Sequence, residues 1–179
     1  MKIPVLLPHE YMAAMYKAYP IEFRDWVSGD GGAIEQFWAS VKTNDPRIRH
    51  GQASGKCIPL RIHGDGVPYG KGIGRSLDVL SFSSMLSKPG NTWDVRFLMT
   101  ALSNGCKTSP LKHGVDSMEP IWNVLIWSFE CLHAGTFPLL DENGEELTGR
   151  RAANVGRLCG EYNFRLGRRL LGEKQHIWF

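Results

Sequence analysis

The sequence predicts an α/β protein with a mixed, mainly antiparallel sheet and a buried helix against it. Two patterns predict this fold: apolar and polar side chains alternate within residues 58–102, and apolar side chains recur with a helical period in residues 116–134. The chain of 179 residues is long enough for one hydrophobic core, and 42% hydrophobic residues is ordinary for a globular protein.

Three successive segments have the alternation of half-buried strands, namely residues 58–63, 77–86 and 92–102. Glycine and proline are concentrated in residues 64–75, so a long turn is predicted between the first two strands. A nucleotide-binding loop is the alternative interpretation of this turn, although its glycines lack the spacing of a phosphate-binding loop.

The clearest helix is predicted over residues 116–134. Asp116 and Glu119 have the spacing of a capping box, and Pro120 is tolerated in a first turn. Apolar side chains surround this helix almost completely, so we expect it to be buried on more than one side. Gly135 follows as a typical C-terminal stop.

The chain is predicted to divide into an N-terminal helical extension, residues 1–50, and a second domain, residues 56–179. Within the extension, residues 11–18 and 33–42 have helical apolar spacing. We expect these helices to pack outside the sheet domain. Near the C-terminus, residues 162–171 predict a basic amphipathic helix.

A weak fourth strand is predicted over residues 152–159, after the helix. Three strands, a helix and a strand are the element order of a ribonuclease H-like core, whose parallel first and fourth strands end side by side, each with a carboxylate. Here the first strand leads to Asp65 and the fourth to Glu161. Such carboxylates hold two divalent ions about 4 Å apart, and Mg²⁺ or Mn²⁺ prefers oxygen ligands. Asp65 and Glu161 are therefore candidate catalytic residues and metal ligands.

Each of these residues has a simpler interpretation. Asp65 lies between two glycines, where Asp commonly caps a turn. His63 shares a strand face with Asp65 and is a candidate ligand for a metal or a substrate phosphate. The alternative is that His63 is a polar strand end without a role.

Positive charge is concentrated in the C-terminal part of the chain, within a formal net charge of +3. Residues 150–179 contain seven basic and two acidic residues, whereas residues 1–149 contain 14 and 16. This asymmetry favours a polyanionic partner, with DNA as the first candidate. A solvated helix face is the alternative. The candidate nucleic-acid-binding residues are Arg150, Arg151, Arg157, Arg165, Arg168, Arg169 and Lys174.

The N-terminus does not resemble a signal peptide, and no stretch approaches the roughly 20 apolar residues of a membrane span. We therefore expect an intracellular protein without membrane contact, and a nuclear location would suit a DNA partner. The cysteines have no CxxC spacing, so buried free thiols are expected rather than zinc ligands. They are Cys57, Cys106, Cys131 and Cys159.

Short motifs carry a family resemblance that spans most of the chain. They are PVLLPHE at residues 4–10, FW at residues 37–38 and PLRIHGDGVP at residues 59–68. Together they resemble an uncharacterised, highly repeated protein family of protist genomes, which is similar to degenerate ribonuclease H-fold transposases of the DDE/DDD type. Residues 160–164 and 170–176 are similar to a second signature of that family.

The resemblance implies that Asp65 is the first acidic ligand and that Glu161 occupies the second acidic position. Glu161 departs from the family pattern, because glutamate is one methylene longer than aspartate. No third acid can be carried over, although Glu119 is a candidate substitute on the helix. An incomplete domain at the C-terminal end is expected.

The implied function is metal-dependent phosphodiester cleavage or strand transfer by a transposase-like domain. Two alternatives remain: an inactive nucleic-acid-binding module, or a protein-interaction fragment, each derived from a mobile element. The missing third acid favours the inactive module, and the terminal Trp178-Phe179 pair suits the interaction fragment.

Overall fold

The computed structural model describes residues 3–40, 56–68, 76–88, 95–108 and 116–166. The helices are α1 (Pro8–Ala18), α2 (Pro20–Phe23), α3 (Ala33–Ser40), α4 (Glu119–Ala134) and α5 (Gly149–Ala152). The strands are β1 (Cys57–Pro68), β2 (Ser76–Ser84), β3 (Phe97–Ser103) and β4 (Asn163–Leu166). A π-helical turn (Arg24–Ser28) and a 3₁₀ turn (Asn104–Cys106) complete the described elements.

The described strands form one sheet in the order β3-β2-β1-β4. β2 pairs antiparallel with both β1 and β3, whereas β4 pairs parallel with β1, and α4 lies between β3 and β4 in the chain. A parallel neighbour requires such a long crossover connection. The predicted mixed α/β architecture is thus confirmed, with a mainly antiparallel sheet and a long helix.

One hydrophobic core joins α4 to the sheet. The rings of Phe129 on α4 and Phe82 on β2 meet edge to face, with centroids 5.7 Å apart. Fully buried Leu125 and Leu132 extend the contact surface of α4 at helical spacing. The N-terminal helices share this core, and their buried members are Met12, Met15, Phe23, Val27 and Ile34.

The extended segment before α1 covers the outer edge of β3. The Leu6 amide donates to the Met99 carbonyl oxygen at 2.8 Å, and the Thr100 hydroxyl donates to the Pro4 carbonyl oxygen at 2.9 Å. Pro8 then opens α1, where its missing N–H removes no helical hydrogen bond. This segment therefore protects a sheet edge that would otherwise expose unpaired backbone groups.

The start and end of α4 follow from local chemistry. The predicted capping box is not formed, because the Asp116 carboxylate accepts from the Met118 amide at 2.9 Å and the helix begins after that turn, at Glu119. Pro120 occupies the first helical turn as expected. Gly135 ends the helix with a φ of 71°, a left-handed conformation that glycine adopts readily.

Three element predictions need correction. β1 continues to Pro68 rather than turning at residue 64, because Gly64 and Asp65 still pair with β2; residues 69–75 lie outside the described ranges. Residues 152–159 do not form a strand, and only isolated bridges occur there, at positions 157 and 159. Residues 163–166 form β4 instead of a helix, since tertiary pairing with β1 overrides weak helix propensity.

All four cysteines are free thiols, as expected, but Cys106 is exposed whereas Cys57, Cys131 and Cys159 are buried. Burial raises the pKa of the Cys131 thiol to about 11 and that of Cys159 to about 12, so both stay protonated at neutral pH. No helix in the described ranges is long and apolar enough to cross a bilayer.

Candidate functional site

The sheet has one face against the core and one face that carries polar side chains. On β1, Ile58 and Leu60 are buried in the core, whereas Arg61 and Asp65 on the alternate face are exposed. Paired residues of neighbouring strands share a face, so the strand register extends this polar surface onto β2 and β4. We call it the open face; its polar residues are Arg61, His63, Asp65, Ser81, Ser83 and Arg165.

A hydrogen-bonded cluster lies on the open face around the side chain of Ser83. The Arg61 Nε–H donates to Ser83 Oγ at 3.0 Å, and His63 Nε2 lies 3.0 Å from the same oxygen. Ser83 is fully buried, while Arg61 is exposed and His63 is half-buried. The buried hydroxyl thus holds a guanidinium and an imidazole in fixed positions.

Positive charge surrounds this cluster. Burial lowers the pKa of His63 below its ordinary value, and the nearby charges of Arg96 and Arg61 lower it further. The imidazole is therefore neutral at pH 7. Arg165 lies opposite Pro59 on the neighbouring strand, so it extends the positive charge of the open face across β4.

The two candidate metal ligands lie at opposite ends of β1. Glu161 precedes β4 and forms an ion pair with Lys56, which precedes β1. Asp65 is exposed near the end of β1, opposite Val79. Position 65 is nine residues after position 56, and nine steps of extended chain span about 30 Å. The structure therefore does not bring the two carboxylates together.

This separation follows from the position of the fourth strand. The expected site requires Glu161 at the end of a strand over residues 152–159, but the strand that pairs with β1 starts after Glu161, at Asn163. Because β1 and β4 run parallel, a residue before β4 lies near the beginning of β1. Glu119, the candidate substitute, is exposed in the first turn of α4.

A two-metal centre does not fit the residues that the structure describes. Among them, no three His, Cys, Asp or Glu side chains are grouped closely enough to hold a metal ion. Asp65 stands on a face with Arg61 and Arg165, and guanidinium groups repel a cation. The described residues therefore do not support chemistry through Mg²⁺ or Mn²⁺.

The candidate basic residues have different structural roles. Arg150 is exposed on α5, and Arg151 on the same short helix pairs with Glu10 at 2.8 Å. Arg165 is the member that lies on the open face. Arg168, Arg169 and Lys174 lie outside the described residues.

Arg157 ties the end of α4 to the beginning of β4. Its side chain donates to the Gly160 carbonyl oxygen at 2.8 Å and to Asn163 Oδ1 at 2.9 Å. A third bond, 3.4 Å long, reaches the Ala134 carbonyl oxygen at the C-terminal end of α4. A Cβ at Gly135 would stand 2.2 Å from Asn163 Oδ1, so this junction also requires glycine. Arg157 therefore stabilises the fold.

A second histidine–serine pair lies in the core between α1 and α4. The Ser128 hydroxyl oxygen lies 2.8 Å from His9 Nδ1 and accepts the His9 amide at 3.1 Å. His9 is only 2% exposed, and its ring meets that of Trp127 edge to face at 5.0 Å. Burial, with a smaller contribution from Arg151, lowers the pKa of His9 to about 4.

Sequence reasoning did not identify Arg61, Ser83 or Arg96 as site residues. A signal was present, because Arg61 and His63 occupy alternate positions of the first predicted strand, and Ser81 and Ser83 do so in the second. Period-two alternation assigns such residues to one face of each strand. Their convergence at Ser83, however, depends on the register between β1 and β2.

Comparison of the chain with protein-family models, with curated proteins and with solved structures found no significant match.

Proposed function

We propose that the chain is a nucleic-acid-binding module with a ribonuclease H-like sheet, which binds a phosphate backbone, with DNA as the first candidate, on its open face. The observation that carries this proposal is the position of Arg61, His63 and Arg165 on one face of the sheet, with Arg96 close to His63. Asp65 is the single acidic member of the open face as defined above. Guanidinium groups bind phosphate oxygens through paired hydrogen bonds.

The strand order supports the ribonuclease H-like part of the proposal. The order β3-β2-β1-β4, with β1 and β4 parallel and a long helix between β3 and β4 in the chain, agrees with the element order that the sequence predicts. The motif resemblance to degenerate transposases points in the same direction. Descent from a mobile element would account for a retained basic surface.

We propose binding rather than cleavage because the candidate acidic residues lie far apart. Transposase-like chemistry on two metals requires carboxylates that converge on ions about 4 Å apart. Asp65 and Glu161 are separated by most of the length of β1, and no group of three candidate ligands lies among the described residues. The inactive nucleic-acid-binding module is therefore the better supported alternative.

The proposed contacts are to phosphates, so affinity should depend strongly on salt. Each neutralised phosphate releases counterions, and the logarithm of the binding constant falls by about 0.7 to 0.9 per contact for each tenfold rise in salt. The aliphatic side chains on the same surface, such as Val79 and Leu98, offer no aromatic ring for base stacking. Weak sequence preference is expected as a result.

The test is fluorescence anisotropy with single- and double-stranded DNA and RNA of equal length, between about 50 and 200 mM salt. Arg61→Ala and Arg165→Ala should weaken binding and reduce the salt slope by about one unit each. Arg24→Ala is the matched control, since Arg24 is an exposed arginine that pairs with Asp25 in the N-terminal region. Absence of binding at low salt, or equal effects of all three variants, would overturn the proposal.

Cleavage of supercoiled DNA with Mg²⁺ or Mn²⁺ is measured beside binding. The binding module predicts no metal-dependent nicking. Nicking by the unmodified chain that is lost in both Asp65→Asn and Glu161→Gln would instead support the transposase-like nuclease.

A further inference from the structure

We propose that Ser83 fixes Arg61 and His63 as a clamp for one phosphate group, with His63 donating through Nδ1–H. This inference rests on the proposed function, because it assigns one backbone phosphate to a defined position on the open face. The clamp is built from two neighbouring positions on the same face of β1, with a buried serine of β2 beneath them.

The direction of each hydrogen bond follows from donor chemistry. Arginine has donors and no acceptor, so Ser83 Oγ must accept from Arg61 Nε–H, 3.0 Å away. The hydroxyl proton of Ser83 is then available to another partner. His63 Nε2, also 3.0 Å from Oγ, is the partner that the structure provides.

The tautomer of His63 follows from the same matching of hydrogen-bond donors to acceptors at Ser83. If Nε2 carried the proton, Ser83 would accept two bonds and its buried hydroxyl proton would have no partner among the contacts found for Ser83. Leaving a buried donor unsatisfied is costly. No buried side-chain nitrogen or oxygen in the described part of the chain lacks a partner. The neutral ring therefore accepts at Nε2 and carries its proton at Nδ1.

Both members of the clamp direct donors away from Ser83. Since Nε of Arg61 is occupied, the two terminal nitrogens of this exposed side chain remain in the end-on arrangement that binds two phosphate oxygens. His63 is half-buried, and the hydrogen bond found for its ring uses Nε2, so Nδ1–H is left for an outside acceptor. Alternate residues on one strand face stand about 7 Å apart, and long side chains converge over that span.

The surrounding charges favour an anion over a cation as the bound group. Arg61 flanks His63 on β1 and Arg96 lies near it from the segment before β3, whereas Asp65 is the acidic neighbour on β1. From β2, the uncharged Ser81 and Ser83 face His63. The oxygens of one phosphate group, whether singly or doubly charged, can accept hydrogen bonds from three donors here, namely the two terminal nitrogens of Arg61 and Nδ1–H of His63. Neutral His63 does not need to take up a proton for this.

The experiment uses the side-chain ¹⁵N resonances of His63 in the full chain, with inorganic phosphate and a single-stranded oligonucleotide as separate probes. The expected free state has a proton on Nδ1 and a bare Nε2, and each probe should perturb Nδ1. Ser83→Ala should shift the ring toward the Nε2–H tautomer and weaken oligonucleotide binding about fivefold. Ser84→Ala is the matched control and should change neither quantity, because Ser84 is a buried serine on the opposite face of β2 whose hydroxyl donates to the Val27 carbonyl oxygen.

Two further variants keep the test decisive if Ser83→Ala does not fold. Ser83→Thr keeps the hydroxyl and should keep the Nδ1–H tautomer. Arg61→Lys keeps the charge but loses the planar pair of donors, so binding should again weaken about fivefold.

The outcomes separate the clamp from the proposed function. Oligonucleotide binding with His63 in the Nε2–H form, and without effect of Arg61→Lys, would overturn the clamp and leave the module intact. Perturbation of Nδ1 by inorganic phosphate without oligonucleotide binding would support the clamp and overturn the nucleic-acid module.

Discussion

Two histidine–serine pairs in this protein have nearly the same hydrogen-bond distance but different surroundings. His9 and Ser128 meet at 2.8 Å in the core, and His63 and Ser83 meet at 3.0 Å on the open face. Burial lowers the pKa of both histidines. In both pairs the serine hydroxyl is fully buried.

The two pairs differ in the third group that hydrogen-bonds to the serine hydroxyl. Ser128 also accepts the backbone amide of His9, so the first turn of α1 is fixed to α4. Ser83 accepts a guanidinium that reaches solvent. The same residue pair therefore fixes backbone in one place and side-chain donors in the other, and only in the second pair is the third partner exposed to solvent.

The largest expected effect is acid destabilisation through His9. Its pKa is about 4 in the folded chain, below the ordinary value of 6.5, so the unfolded chain binds a proton more readily. This contribution to stability is complete above pH 6.5 and declines as the pH falls toward 4. Urea unfolding should show a loss of about 2 kcal/mol at pH 5 relative to pH 7.5.

His9→Asn is the control for this acid effect, because asparagine retains a hydrogen-bonding group but does not titrate. The loss between pH 7.5 and pH 5 should be about 2 kcal/mol smaller in this variant. An identical pH dependence in both chains would show that His9 is not the group responsible.

The second prediction compares the two serines directly. Ser128→Ala removes the partner of the His9 amide and of Nδ1 in the core, and should cost about 2 kcal/mol in the free energy of unfolding. Ser83→Ala should cost less than about 1 kcal/mol, because exposed Arg61 and half-buried His63 can hydrogen-bond to solvent instead. Chemical denaturation of both variants at pH 7.5 measures the difference. Equal costs would contradict the distinction between the two pairs.

The sequence predicts the sheet and α4 well because local patterns determine them. The strand containing Ile58 and the helix containing Leu125 each have a hydrophobic period that matches one type of element. The end of β1 was predicted too early, because Gly64 and Gly66 are turn formers by composition. Pairing with β2 satisfies their backbone groups and extends the strand to Pro68.

The candidate site could be predicted only in part. Asp65 and His63 were recognised by position in the first strand, but the proximity of Asp65 to Glu161 depended on the assignment of the fourth strand. A shift of that strand from residues 152–159 to Asn163–Leu166 moves Glu161 from the end of a strand to a position before one. Register between distant segments is a tertiary property that a single sequence pattern does not specify.

The third prediction separates a structural arginine from a binding arginine. Arg157→Ala removes hydrogen bonds that join α4 to β4, so it should lower the free energy of unfolding by about 1 kcal/mol and leave oligonucleotide affinity unchanged. Arg61→Ala should weaken affinity about fivefold with a smaller effect on stability. Anisotropy and denaturation of both variants test this contrast, and a large affinity loss in Arg157→Ala would contradict it.

The smallest expected effect is the change in oligonucleotide affinity when Asp65 is substituted. The sign of this change distinguishes a nucleic-acid-binding module from a metal-dependent nuclease. On the open face its carboxylate repels a phosphate bound by Arg61 and His63, so Asp65→Asn should tighten oligonucleotide binding, by about twofold because exposed charges interact weakly. Glu161→Gln should change affinity little, since Glu161 pairs with Lys56 at the other end of β1. A metal centre shared by the two carboxylates requires the opposite pattern, in which both variants lose the same Mg²⁺-dependent response. Fluorescence anisotropy with and without Mg²⁺ measures the direction of the affinity change in both variants. Weaker binding by Asp65→Asn only when Mg²⁺ is present would contradict the phosphate clamp.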